Sequence, residues 1–194
     1  MQGTADLTVY LAELTCGEEK RAERAVAALT GCGEPALQAL RGLLASTDSE
    51  NRWWAARALA EIADDRASAL LIGALSDEDA SVRQCAALAL RRRPDPGAAP
   101  FLLTALSSRD HLLAHLAADA LAAIGKPVVP DLLEVMEKGD QAVRLEAIRA
   151  LAQIADPRSV PVLFAALDED SALLEYWANE GLERMGVGMV FFKP

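Results

Sequence analysis

Apolar side chains return along this chain at two nested periods. Ala25, Ala55, Ala86, Ala117, Ala147 and Ala178 are spaced by 30, 31, 31, 30 and 31 residues, and each is followed four positions later by Leu29, Leu59, Leu90, Leu121, Leu151 or Leu182. A second set, Tyr10, Leu40, Leu71, Leu102, Leu132 and Leu163, keeps the same register and is followed four positions on by Leu14, Leu44, Leu75, Leu106, Met136 and Leu167. Apolar pairs four apart mark one face of a helix, so each unit of the long period predicts two helices. Acidic and small stretches, "STDSEN", "SDEDAS" and "DEDSA", lie between the two helices of a unit and supply residues that cap a helix start. The breakers "DDRA", "RPDPG", "IGKP" and "ADPR" separate one unit from the next.

Six such hairpins are expected over residues 4–31, 34–63, 66–93, 97–124, 127–154 and 157–185, in one domain spanning 1–194, with an apolar tail at 186–194. A hairpin of this size buries its apolar stripe only by stacking on its neighbours, which makes the expected fold an all-α solenoid. Alanine at the first position of each pair lets helix backbones approach closely.

Composition narrows the picture. The chain is 52% hydrophobic, mostly alanine and leucine, with 5% aromatic residues, a balance that favours helices over sheets. Its formal net charge of -10 opposes a phosphate backbone, so nucleic acid would need a locally basic patch. The run Arg91-Arg92-Arg93 instead closes a helix, where cations complement the dipole. No stretch is long and apolar enough to span a bilayer, and "MQGTADLTVYLAELT" lacks the basic start of a secretory signal, so the expected location is the cytoplasm. Cys16, Cys32 and Cys85 show neither an even count nor C-x-x-C spacing and are expected to be free, packed thiols.

The units "DEDASVRQCAALAL" and "GDQAVRLEAIRALAQIADPRSVPVLFAALDED" resemble HEAT repeats, specifically the short bacterial type associated with phycobilisome lyases, and the resemblance covers nearly the whole chain. It implies a right-handed α-α superhelix, a HEAT-like α-solenoid of about six hairpins, whose second helices line a concave face. It also implies that Val82-Arg83 and Val143-Arg144 support the stack through an inter-repeat polar ladder.

A helical wheel over 81–93 gathers Val82, Ala86, Ala89 and Leu90 on one side and Gln84, Leu88 and Arg91 on the other. Carried through the repeats, the exposed side gives two rows. The first reads Glu23, Trp53, Gln84, His115, Leu145, Tyr176, and the second Ala27, Arg57, Leu88, Asp119, Arg149, Glu180. Trp54 and Trp177 fall on the flank of the buried stripe with Cys85 and Leu116 and are expected to pack. Trp53 and Tyr176 are expected to face a partner. Candidate partner-binding residues are therefore Trp53, Arg57, Gln84, Leu88, His115, Asp119, Leu145, Arg149, Tyr176 and Glu180, a mixture of aromatic, apolar and charged groups suited to a protein surface.

Chemistry beyond binding finds little support. His111 and His115 stand one turn apart beside Asp110 and Asp119, but without a third histidine or an H-E-x-x-H sequence they read as an exposed polar pair, and no metal or cofactor is expected. The diiron HEAT-repeat hydroxylases carry several His-Glu pairs on this face and this chain has none. In HEAT-like alkylpurine DNA glycosylases, concave Trp and Asp residues hold a damaged nucleotide; Trp53, Asp119 and Trp177 would take those parts here, but Glu23, Asp119 and Glu180 lie among the arginines. No nucleophile and base, phosphate loop or paired acid constellation is present.

The expected function is a non-catalytic scaffold or adaptor that binds a protein or peptide in its concave groove. The alternative is a tetrapyrrole-handling accessory factor related to phycobilin lyases. Two departures complete the reading. Arg93 stands where Ile62, Ile124, Ile154 and Met185 stand in other repeats, followed by "PDPGAAP". This suggests a loosened joint, with the arginine snorkelling outward or paired with Asp95, though not a domain boundary, since the repeat resumes in register. The tail holds Met189, Val190, Phe191 and Phe192, expected to fold back as an internal cap on a monomer, with tail-mediated dimerisation as the alternative.

Overall fold

The repeating stripe is realised as helical hairpins in a computed structural model that describes residues 2–187, with side chains from Asp6 onward. The apolar tail beyond Val187, with Met189, Val190, Phe191 and Phe192, lies outside the described residues. Among those residues there are twelve α-helices and no strand. The chain divides at Gly97 into two compact units, at the stretch that the sequence marks as a loosened joint.

The first unit holds three hairpins: α1 (Gln2–Leu14) with α2 (Glu19–Leu29), α3 (Gly33–Leu44) with α4 (Ser49–Leu59), and α5 (Asp65–Ala74) with α6 (Ala80–Arg92). The second holds α7 (Ala99–Leu106) with α8 (His111–Ile124), α9 (Val129–Lys138) with α10 (Gln141–Ile154), and α11 (Val160–Leu167) with α12 (Ala172–Arg184). Short 3-10 turns at Pro96–Ala98, Lys126–Val128 and Pro157–Ser159 precede α7, α9 and α11. All twelve members of the Ala-Leu pairs are buried. Second helices stack on one another within each unit, α2 on α4 and α4 on α6 in the first, α8 on α10 and α10 on α12 in the second.

Aspartates set where the second helices begin. Asp48, Asp79, Asp110 and Asp140 each accept from a backbone N–H in the first turn, at 2.9, 2.8, 3.1 and 3.0 Å, satisfying donors that the helix leaves unpaired. The last hairpin packs closely on the one before it. A Cβ added at Gly181 would stand 3.0 Å from the Ala152 Cα and 2.9 Å from Leu163 Cδ1, so α12 approaches α10 at the distance that only glycine allows.

Arginines tie successive hairpins together inside each unit. Arg52 donates to both Asp77 oxygens, 25 residues on, at 2.9 and 3.0 Å, and to the Ser46 carbonyl of its own hairpin turn at 2.9 Å. Arg144 repeats the motif, donating to Glu169, also 25 residues on, and to the Met136 carbonyl at 3.0 Å. The ladder implied by the Val-Arg dipeptides thus runs through Arg144 and through Arg52, which follows no valine. Arg83 donates to the Asp77 and Glu78 carbonyls of its own hairpin turn at 2.7 and 2.8 Å.

Arg93 corrects the expectation made for it. It neither snorkels outward nor pairs with Asp95, which caps the Gly97 N–H at 2.8 Å. Its guanidinium donates to the Ala60 and Ile62 carbonyls just beyond α4, so a charge at an apolar register position caps the end of a neighbouring helix.

Candidate partner-binding surface

The outward rows of the second helices differ in kind between the two units. In the first unit, the adjacent Trp53 and Trp54 lie about 100° apart around α4, as helical geometry requires, and their fates separate accordingly. Trp54 is buried in the stripe, while Trp53 stays half-exposed against it, the rings meeting edge to face with centroids 4.8 Å apart and planes at 83°. Trp54 thereby supports the Trp53 ring from beneath. An open pocket of about 470 Å³ forms there, lined by Glu19, Glu23, Ser49, Glu50, Trp53, Trp54 and Ser81. None of these is cationic.

Glu23 is partly neutralised. Arg57, one turn beyond Trp53, donates to its two oxygens at 3.1 and 3.2 Å and to Glu61 at 2.6 Å. Glu19 and Glu50 are exposed and form no ion pair among the described residues. At the pocket edge the Ser81 hydroxyl donates to Asp79 at 2.5 Å. This donor, with the Ser81 N–H, holds the Asp79 carboxyl below the ordinary aspartate range. Gln84 is half-exposed and Leu88 exposed on α6. The thiol of half-buried Cys85 is pushed up to about 11 by desolvation, which leaves it protonated and unreactive at neutral pH.

The second unit places charge inward at the same register. Arg149, expected on the exposed ridge, has a side chain only 6% exposed, and Asp119 is 11% exposed. Arg149 donates to Asp119, to Glu146 at 2.8–2.9 Å and to the His115 main-chain carbonyl at 2.6 Å, while Gln153 donates to Asp119 at 3.4 Å. Burial follows from this pairing, since a guanidinium leaves water only when carboxylates and carbonyls replace it. Glu180 is engaged by Arg184 at 2.8 Å.

The sequence reading overlooked Glu146. It occupies the flank position filled elsewhere by Trp54, Cys85, Leu116 and Trp177, and a carboxylate at that register was the available signal. His111 and His115 are both exposed, His115 with Nδ1 3.6 Å from Glu146 Oε2; among the described residues no three His, Cys, Asp or Glu side chains converge on a metal-sized site.

Outside this network the second unit's face carries exposed apolar side chains. Leu112, Leu173 and Tyr176 are 53%, 58% and 57% exposed, and Leu145 is half-exposed. Tyr176 and Trp177 repeat the edge-to-face arrangement of the tryptophan pair, with centroids 5.1 Å apart and planes at 79°. The pocket residues Glu19, Ser49, Glu50 and Ser81 also escaped the sequence rows, which were projected one turn too far along the helix to include them. Among the described residues no single helix is long and apolar enough to cross a membrane.

Comparison with known proteins places this geometry. The sequence model for HEAT repeats matches residues 8–91, 50–114 and 99–183. No protein of curated function matches the sequence. Among solved structures, an engineered protein is similar at 27% identity over 94% of this chain and 98% of its own, with a TM-score of 0.54. The complex of CpcE and CpcF of phycocyanin lyase from Nostoc sp. PCC7120 is similar at 24% identity, covering 76% of this chain and 98% of the other, with a TM-score of 0.59. A designed armadillo repeat protein in complex with the peptide (KR)4 is similar at 17% identity, covering 92% and 99%, with a TM-score of 0.54.

Proposed function

Since the chain belongs to the HEAT-repeat family, we propose that it is a non-catalytic scaffold whose second-helix faces bind a protein or peptide partner. The observation that carries this reading is the outward face of the second unit, where Leu112, Leu173 and Tyr176 are more than half exposed on helices whose inward stripes are already filled. Solvated helix faces hold lysine and glutamate; leucine and tyrosine gain nothing there unless a partner covers them. Trp53, Gln84 and Leu88 form the contact set of the first unit, and His115, Leu145 and Tyr176 that of the second. Arg57, Asp119, Arg149 and Glu180 hold these residues in place through the ion pairs described above.

The test uses the purified chain as bait in extract from its source, with Trp53→Ala and Tyr176→Ala baits beside it. The substitutions should lower affinity for a captured partner by at least ~2 kcal/mol, as at aromatic hot spots, and leave the melting temperature nearly unchanged. Capture that is insensitive to both variants, with a large fall in melting temperature, would show that the rings serve packing. A tetrapyrrole-handling role predicts a different signal, a protein-dependent change in the visible spectrum of added bilin, and that result would displace the scaffold reading.

A further inference from the structure

We propose that the pocket beside Trp53 is the receptor for a basic side chain, so that the first unit recognises a partner segment carrying lysine or arginine. The inference rests on the scaffold reading and adds the chemistry of the occupant. Three features of the pocket point the same way. Trp53 lines it, its indole held in edge-to-face contact with the buried Trp54, and tryptophan is the best aromatic receptor for a cation. Its walls carry Glu19 and Glu50, which form no ion pair among the described residues, beside Glu23, which Arg57 shares with Glu61. Its volume of about 470 Å³ falls in the roughly 300–1,000 Å³ range of ligand pockets, and it is open to solvent along α4.

Charge complementarity selects the occupant. An anionic group would face three glutamates with no cation lining the pocket. A purely apolar group would cover the indole but strip water from carboxylates it cannot pair, which costs more than the ring contact returns. An ammonium or guanidinium on an aliphatic stem answers both: the stem lies along the ring and the charge meets Glu19 and Glu50.

The second unit supplies the internal contrast. At the positions of Ser49 and Glu50 it has His111 and Leu112 in the fourth hairpin, Gln141 and Ala142 in the fifth, and Ala172 and Leu173 in the sixth, with no carboxylate at any of them. Acidity at this register is therefore peculiar to the first unit and is no requirement of the repeat.

Calorimetric titration of the full chain with an acetylated and amidated hexalysine peptide tests the assignment, with hexaglutamine as the uncharged control. Hexalysine should bind, weaken as salt screens the pair, and outcompete hexaglutamine by at least about tenfold. The Glu19→Gln/Glu50→Gln double variant and Trp53→Ala should each lose about tenfold, with Trp53→Phe, which keeps a ring face, losing less. All three positions are on or near the surface, so melting temperatures serve as the folding control. Hexalysine that fails to bind the unaltered chain, or that binds the double variant equally well, overturns the inference. If that happens while capture of a native partner still depends on Tyr176, the scaffold reading stands and only the basic occupant is lost; insensitivity to Tyr176 as well removes both.

Discussion

Arg57 and Arg149 occupy the same position of the repeat, three hairpins apart, and do different work. In the first unit Arg57 lies at the surface, bridging Glu23 and Glu61 beside a tryptophan that faces solvent. In the second, Arg149 has been drawn beneath the surface, its two carboxylates with it, and the face above shows leucine and tyrosine. At this register one unit keeps its charge at the surface; the other puts a charged trio inside and apolar groups outside. The repeat register determines which way a side chain points. The neighbours one repeat away decide whether it is structure or contact, since a charge can be buried only where they supply partners.

The largest expected effect breaks that pair of arginines apart. Arg149→Ala would remove the guanidinium that Asp119 and Glu146 share beneath the surface, and should cost about 3–5 kcal/mol of stability. Arg57→Ala removes a pair whose arginine is 26% exposed, and should cost no more than ~1 kcal/mol. Urea denaturation of the two variants measures both. Equal costs would mean that the Arg149 network is as solvated as its counterpart and that the contrast between the units is one of appearance.

That contrast was only half legible in the sequence. The six-hairpin fold could be read because alanine and leucine repeat at positions where burial leaves little choice, and the aspartate caps because their chemistry is local. Trp53 and Trp54 were separable by a helical wheel alone. Arg149 was not, because its burial depends on Asp119 and Glu146, and a projection that treats each row separately cannot see one row being satisfied by another. The glutamates around Trp53 were missed for a related reason: Glu19 and Glu50 come from different hairpins and meet only when the helices stack. Arg93 could be read as an anomaly, but its acceptors, two carbonyls some thirty residues earlier, carry no side-chain signature.

Helix spacing offers a smaller test. Gly181 stands where the first unit has Ala28, Ala58 and Ala89, and where the second has Ala120 and Ala150. Alanine normally gains about 1 kcal/mol over glycine inside a helix. At Gly181 the new methyl would meet the Ala152 backbone at 3.0 Å, so overpacking of about 1–3 kcal/mol should exceed that gain. Gly181→Ala should therefore lower stability by about 1 kcal/mol, as should Ala89→Gly in the first unit, through opposite mechanisms. A stabilised Gly181→Ala chain would show that α12 can move off α10 at little cost.

The smallest effect concerns a tripeptide the two units share. Ile62-Ala63-Asp64 and Ile154-Ala155-Asp156 are identical, yet α4 ends at Leu59 while α10 runs to Ile154 and turns through Ala155 with φ at 51°. Ala63 shows no such positive φ. Arg93 accounts for the difference, since in the first unit it donates to the Ala60 and Ile62 carbonyls, whereas its counterpart in the second, Met185, has no donor. The end of α10 satisfies itself instead, bending left-handed so that the Ala155 N–H reaches the Leu151 carbonyl at 3.0 Å. An alanine pays for that conformation and a glycine does not. Ala155→Gly should raise stability by about 0.5–1 kcal/mol, whereas Ala63→Gly, which only loosens the unfolded chain, should lower it by about as much. Thermal melts of the two variants should thus shift in opposite directions. A shift of the same sign in both would mean that the two endings are equally strained and that Arg93 does not set the difference.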